Sequence, residues 1–140
     1  MTVILLFWLF ATVCCGYALI FGKRDGRLAA SMIVAAVLLS WWAQNVQQEW
    51  KVINLPVMLV DLGLWIGMLA LMVRSRHYWP IWMAAAQSLT VASHLATLIA
   101  PAFAQKSYAA LATVWAIPCL LSMVGGIALD RRASSQRVRR

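Results

Sequence analysis

The chain has 140 residues, of which 64% are hydrophobic and only 11% charged, with a formal net charge of +8. A soluble domain carries charge on about a quarter of its residues, so the balance excludes an ordinary soluble domain and indicates an integral membrane protein of one domain. Nor does the basic excess point to nucleic acid, because the lysines and arginines sit beside apolar runs, where membrane proteins accumulate them.

Five apolar runs approach the ~20 residues that a helix needs to cross the hydrocarbon core. The first covers about residues 2 to 22. No basic segment precedes it, it is longer than a signal-peptide core, and Lys23 and Arg24 follow directly, so it reads as a retained span. The second, about 28 to 48, follows KRDGR and ends near the polar stretch QQEWK. The third, about 53 to 73, contains a single acid, Asp61. The fourth, about 80 to 100, follows RSRHYW; Pro80 suits the first turn of a helix, and Pro101 ends the run. The fifth, about 108 to 129, follows PAFAQKSY and contains Pro118, which predicts a kink. The remaining segment, 130–140, is a basic tail expected to be mobile in water and drawn to anionic lipid headgroups.

Orientation follows from the basic residues, since short loops rich in lysine and arginine stay on the cytoplasmic side. Lys23, Arg24, Arg27, Arg74, Arg76, Arg131, Arg132, Arg137, Arg139 and Arg140 fall on one side, against Lys51 and Lys106 on the other. This bias predicts an all-α, polytopic bundle of five transmembrane helices with the N-terminus outside and the C-terminus cytoplasmic. A multi-pass protein of the bacterial inner membrane is the expected setting. Trp41, Trp42, Trp50 and Tyr108 mark the outer interface, and Tyr17, Tyr78, Trp79 and Trp82 the inner one.

Function has to be read from the polar exceptions within the spans. An aspartate near the centre of a membrane helix costs about 2.5 to 3.5 kcal/mol on insertion scales, so Asp61 needs a partner, a proton or water. The fourth span offers one. Gln87, Thr90, His94 and Thr97 follow i, i+3, i+7, i+10 spacing and form a polar stripe. Ser88, Ala92, Ala96 and Ala100 form a small-residue face roughly opposite, of the kind that lets membrane helices approach closely. At 1.5 Å per residue, Asp61 lies roughly 12 Å and His94 roughly 9 Å below the outer ends of their helices, so the two are expected to pair. Trp115 falls at similar depth and is expected to close an outward-facing pocket, with Gln44 and Asn45 near its mouth. The competing reading is that these polar groups only hold helices together, at about 0.6 kcal/mol each.

Cys14, Cys15 and Cys119 fall near mid-bilayer and are weak candidate ligands for a thiophilic metal. Against this, adjacent cysteines point about 100° apart on a helix, and apolar surroundings keep thiols protonated and inert. His77 lacks His, Asp or Glu companions at helical ligand spacing and reads as an interfacial histidine. No phosphate loop, nucleophile elbow or zinc-protease motif occurs, so no catalytic role is expected, and no cofactor is indicated.

The adjacent cysteines resemble one feature of the first span of mercury-transport membrane proteins. Five short spans, an outside N-terminus and eight tryptophans resemble the architecture of the tryptophan-rich sensory or translocator family. That resemblance implies binding of hydrophobic ligands such as tetrapyrroles. The Pro- and Trp-rich signature that follows the first span there is replaced here by KRDGR, so no site residue carries over. The expectation is therefore a binding or transport-associated protein with a polar outer-half pocket around Asp61 and His94. The alternatives are an accessory or scaffold subunit, with a membrane-protein partner or a second copy, and a holin-like pore-forming lysis protein.

Overall fold

The computed structural model describes residues 2–46, 55–99 and 108–138, with side chains for 5–43, 45, 55–99 and 114–136. They form five helices, α1 (Thr2–Phe21), α2 (Arg24–Val46), α3 (Leu55–Arg74), α4 (Trp79–Ile99) and α5 (Tyr108–Val138). No strand occurs among the described residues. Three stretches, Arg24–Ala43, Leu55–Arg74 and Val114–Gln136, are long and apolar enough to cross a membrane, and Leu5–Phe21 is a shorter apolar helix. The polar stripe and added serines of α4 lower its hydropathy below that of these three. Many large apolar side chains on the outside of the bundle, such as Leu5, Leu9, Ile20, Leu38, Ile66 and Val73, are exposed. An apolar exterior of this extent is that of a membrane protein.

Local chemistry sets the helix ends. Asp25 lies in the first turn of α2 and Arg74 in the last turn of α3, each matching the sign of the helix dipole. Pro56 and Pro80 lie in first turns, where a missing N–H leaves no helical bond unmade. The α1–α2 turn is tight. The Gly22 N–H donates to the Ala18 carbonyl at 2.8 Å, and any side chain at Gly22 would meet that carbonyl and the backbone of Gly26. Between α3 and α4, the Ser75 hydroxyl donates to Asp25 at 2.6 Å and accepts the His77 N–H at 3.1 Å, which ties this turn to α2.

Each helix packs on its neighbours in sequence, and α1 packs on α5 to close a ring. The most extensive interface joins α4 and α5, followed by that of α4 with α3. The two halves of the ring differ in density. Toward the end where Lys23, Arg74 and Arg131 gather, here called the basic end, the core contains Ala18, Ala29 and Ala30 and the fully buried Met68, Met83 and Met123. Small residues bring the backbones together, and flexible thioethers fill the irregular gaps. Toward the far half the described residues leave a cavity between the helices.

Four sequence expectations change at this level. The segment 130–138, read from the sequence as a tail beyond the fifth span, continues α5 as helix. Ser134 and Ser135 bond back to the carbonyls of Asp130 and Arg131, and the Arg131 guanidinium lies 4.2 Å from the centroid of the Phe21 ring. Trp79, placed by sequence in an interfacial belt, is buried against Gly126, where a Cβ would overlap its side chain. Ala92 and Ala96, expected to contact a neighbouring helix, are exposed. His77 does have an acidic companion: its Nδ1 lies 2.8 Å from Asp130 Oδ2. Trp50, Lys51, Pro101 and Lys106, and the side chains of Gln44 and Tyr108, lie outside the described residues.

The His77–Asp130 pair is about one-third exposed on each side, so with the imidazole protonated it is a surface ion pair, worth about 0.2 to 1 kcal/mol. Asp130→Asn is expected to lower the thermal midpoint of purified protein only slightly, with the difference shrinking as salt rises. A large, salt-independent loss would mean that the pair holds the α3–α4 turn in place rather than decorating it.

Candidate functional site

Asp61 and Trp65 are four residues apart on α3 and so share one face, which lies against the polar stripe of α4. The Trp65 indole N–H donates to the Ser88 hydroxyl at 2.8 Å, and Ser88 in turn donates to the Ala84 carbonyl. Asp61 Oδ2 lies 2.7 Å from His94 Nε2. Gln87 Nε2 donates to Asp61 Oδ1 and to the Asp61 carbonyl, both at 3.4 Å. That length is well beyond the usual N–H···O distance of about 2.9 to 3.0 Å, so His94 is the principal partner of the acid and Gln87 a secondary one.

Burial separates the two members of the pair. The His94 side chain is 3% exposed, whereas that of Asp61 is 20% exposed. Asp61 stands on the wall of the far-half cavity, and His94 lies behind it, off the wall. The cavity measures about 320 Å³ and draws residues from all five helices, a volume near the lower end of the roughly 300 to 1,000 Å³ typical of small-molecule sites. Its polar wall is Asp61, Gln87, Thr90 and Ser40. Aromatic wall comes from Phe7 and Trp8 on α1 and Trp41 on α2, and the floor includes Met68 and Leu120. Trp8 and Trp41 are 46% and 64% exposed, so each touches both the cavity and the surroundings and stands at its mouth.

The remaining candidates are distributed differently. Thr97 is buried, but its hydroxyl donates to the Ser93 carbonyl one turn back at 2.9 Å, a local bond that uses its donor within the helix. Trp115 is half-buried and is not on the cavity wall; its neighbour Ala116 is. The Asn45 amide donates to the Trp41 carbonyl at 2.9 Å on the exposed side of α2. All three cysteines are buried free thiols, and Cys119 lines the cavity. Among the described residues no three His, Cys, Asp or Glu side chains converge as a metal site, so the cysteines do not form the thiolate cluster that their similar depth allowed.

Phe7, Trp8, Ser40 and Trp41 were not singled out from the sequence as site residues. A signal was present, since Ile33, Val37, Ser40 and Trp41 recur at helical spacing on one face of α2. In a membrane helix, however, apolar side chains are expected on every face, so periodicity does not separate the lipid side from the cavity side. A Trp near a helix end has the same ambiguity, because the interface alone accounts for it.

Comparison with protein families, curated proteins and solved structures finds no match for this chain.

Proposed function

We propose that the chain is a five-span protein of a cell membrane, with its N-terminus outside and its C-terminus cytoplasmic, that binds a small ligand within the bundle. The setting is the bacterial inner membrane, and the role is binding or transport-associated rather than catalytic. One observation carries the reading: an acid paired to a buried histidine stands on the wall of a cavity that all five helices line. An ionisable pair within a membrane bundle is costly and by default a functional site, and a group meant only to join helices has no reason to face open volume. The arrangement of ten basic residues against two supports the orientation. Exposed Arg131 and Arg132 at the basic end favour contact with anionic headgroups.

The test is thermal unfolding of purified protein against a panel of one-ring aromatic compounds. A compound that occupies the cavity at about one hundred times its Kd stabilises the fold by about 2.7 kcal/mol. Wild type is expected to show a shift of several degrees with at least one compound, and Asp61→Leu and His94→Ala are expected to lose it. A panel that leaves wild type unmoved, or shifts that persist in both variants, would refute the reading.

A second reading, a scaffold subunit in a larger membrane assembly, is favoured by the exposed Ala92 and Ala96 on α4, since small residues are typical of helix–helix contact in membranes. It predicts a partner protein or a second copy that copurifies in mild detergent and is released by Ala92→Leu.

A further inference from the structure

The cavity combines one carboxylate with an aromatic lining, and that combination specifies the charge of what it takes. Of the Asp61–His94 pair, whose Oδ2 and Nε2 lie 2.7 Å apart, it is the acid that faces the cavity. Among the described residues no lysine or arginine lines the cavity, and His94 lies behind the acid, off the wall. Phe7, Trp8 and Trp41 line the cavity, and the negative quadrupole of an aromatic ring face attracts a cation, most strongly for tryptophan. Most of the wall is otherwise apolar, contributed by residues such as Leu64, Met68 and Leu120. A carboxylate repels anions, aromatic faces disfavour them too, and among the described residues of the wall a hydrated metal ion finds one acidic ligand.

We infer that the ligand is a small lipophilic organic cation, an amine or quaternary ammonium carried on about one aromatic ring, with its charge set between Asp61 and the faces of Trp8 and Trp41. The inference rests on the cavity being a binding site, as proposed above, and adds the class of ligand. A volume of about 320 Å³ accommodates an occupant of that size.

The probes are phenyltrimethylammonium, its uncharged carbon isostere tert-butylbenzene, and benzenesulfonate, measured by calorimetric titration of the full chain in lipid nanodiscs. Phenyltrimethylammonium is expected to bind at least tenfold more tightly than tert-butylbenzene, and benzenesulfonate not at all. Asp61→Asn is expected to remove that preference, with a cooperative thermal transition showing that the variant folds; Asp61→Glu is expected to keep it. Trp8→Leu and Trp41→Leu should each weaken the cation about two- to fivefold, the size of a cation–π contact at a partly exposed site. If the cation and its neutral isostere bind alike in wild type and in Asp61→Asn, the cavity is a binding site with no preference for cations and this inference fails alone. If the sulfonate binds best, or if none of the three binds, the inference is overturned, and the compound panel separately decides whether the cavity binds anything.

Discussion

Asp61→Leu is expected to insert into the membrane at least as well as wild type and yet to fold less stably. The two effects have opposite signs because they belong to different steps. Moving an aspartate into a helix centre costs about 2.5 to 3.5 kcal/mol on insertion scales, and leucine removes that cost. Once the helices are in the membrane, the substitution takes away the acceptor of His94 Nε2, on a side chain 3% exposed, and loss of a buried partner costs about 1 to 3 kcal/mol. Asp61→Asn should fall between, since its side-chain oxygen can still accept from the imidazole. The measurement is the amount of membrane-inserted protein together with the thermal midpoint in detergent. Combining Asp61→Leu with His94→Leu isolates the pair, and a coupling of about 0.6 to 1.7 kcal/mol is expected from the range seen for polar contacts in membrane bundles. Additive single substitutions, or Asp61→Leu as stable as wild type, would show that the 2.7 Å contact contributes nothing to the fold.

Gly126→Ala and Gly125→Ala are expected to differ sharply although they are neighbours on one helix. Each gains about 1 kcal/mol of helix propensity over glycine, so the difference between them isolates packing. A Cβ at Gly125 meets nothing within 4 Å, whereas one at Gly126 overlaps Cβ, Cγ and Cδ1 of Trp79. Those atoms lie at the base of a buried side chain, so rotation of the ring cannot clear them, and α4 and α5 must separate. Overpacking of this kind costs about 1 to 3 kcal/mol and occasionally more, and it falls on the most extensive interface in the bundle. Gly125→Ala should hold or raise the thermal midpoint and Gly126→Ala should lower it, with Trp79→Ala recovering part of the loss in the Gly126→Ala background. Equal midpoints for the two glycine variants would mean that Trp79 does not pack where the structure has it.

The two predictions concern different halves of the molecule. Gly126 and Trp79 belong to the dense half toward the basic end, where alanine and methionine fill the ring and hold the helices in register. Asp61 and His94 belong to the far half, beside the cavity. A tight half with an open half is a workable arrangement for a site, because the rigid part fixes the acid and its histidine while Trp8 and Trp41 remain at the mouth. It also explains why the polar stripe of α4 is buried along its whole length although only Gln87 and Thr90 reach the cavity: His94 and Thr97 are covered by protein.

Much was legible in the chain itself. Hydropathy located all five helices to within a few residues at most ends, because apolar length is a property of consecutive residues and needs no partner. The i, i+3, i+7, i+10 spacing put Gln87, Thr90, His94 and Thr97 on one face, and arithmetic on rise per residue brought Asp61 to the depth of His94. What tertiary structure alone decided was which face of each helix meets which neighbour. Apolar side chains suit lipid and protein interior equally in a membrane, so hydrophobicity, which marks the core of a soluble protein, does not do so here. Hence Trp79 lies buried on Gly126 rather than in the interface, Ala92 and Ala96 face outward, and His77 finds Asp130 across more than fifty positions of sequence. The same ambiguity hid the cavity, since open volume arises from side chains that do not meet, and only the packed arrangement of all five helices determines where that happens.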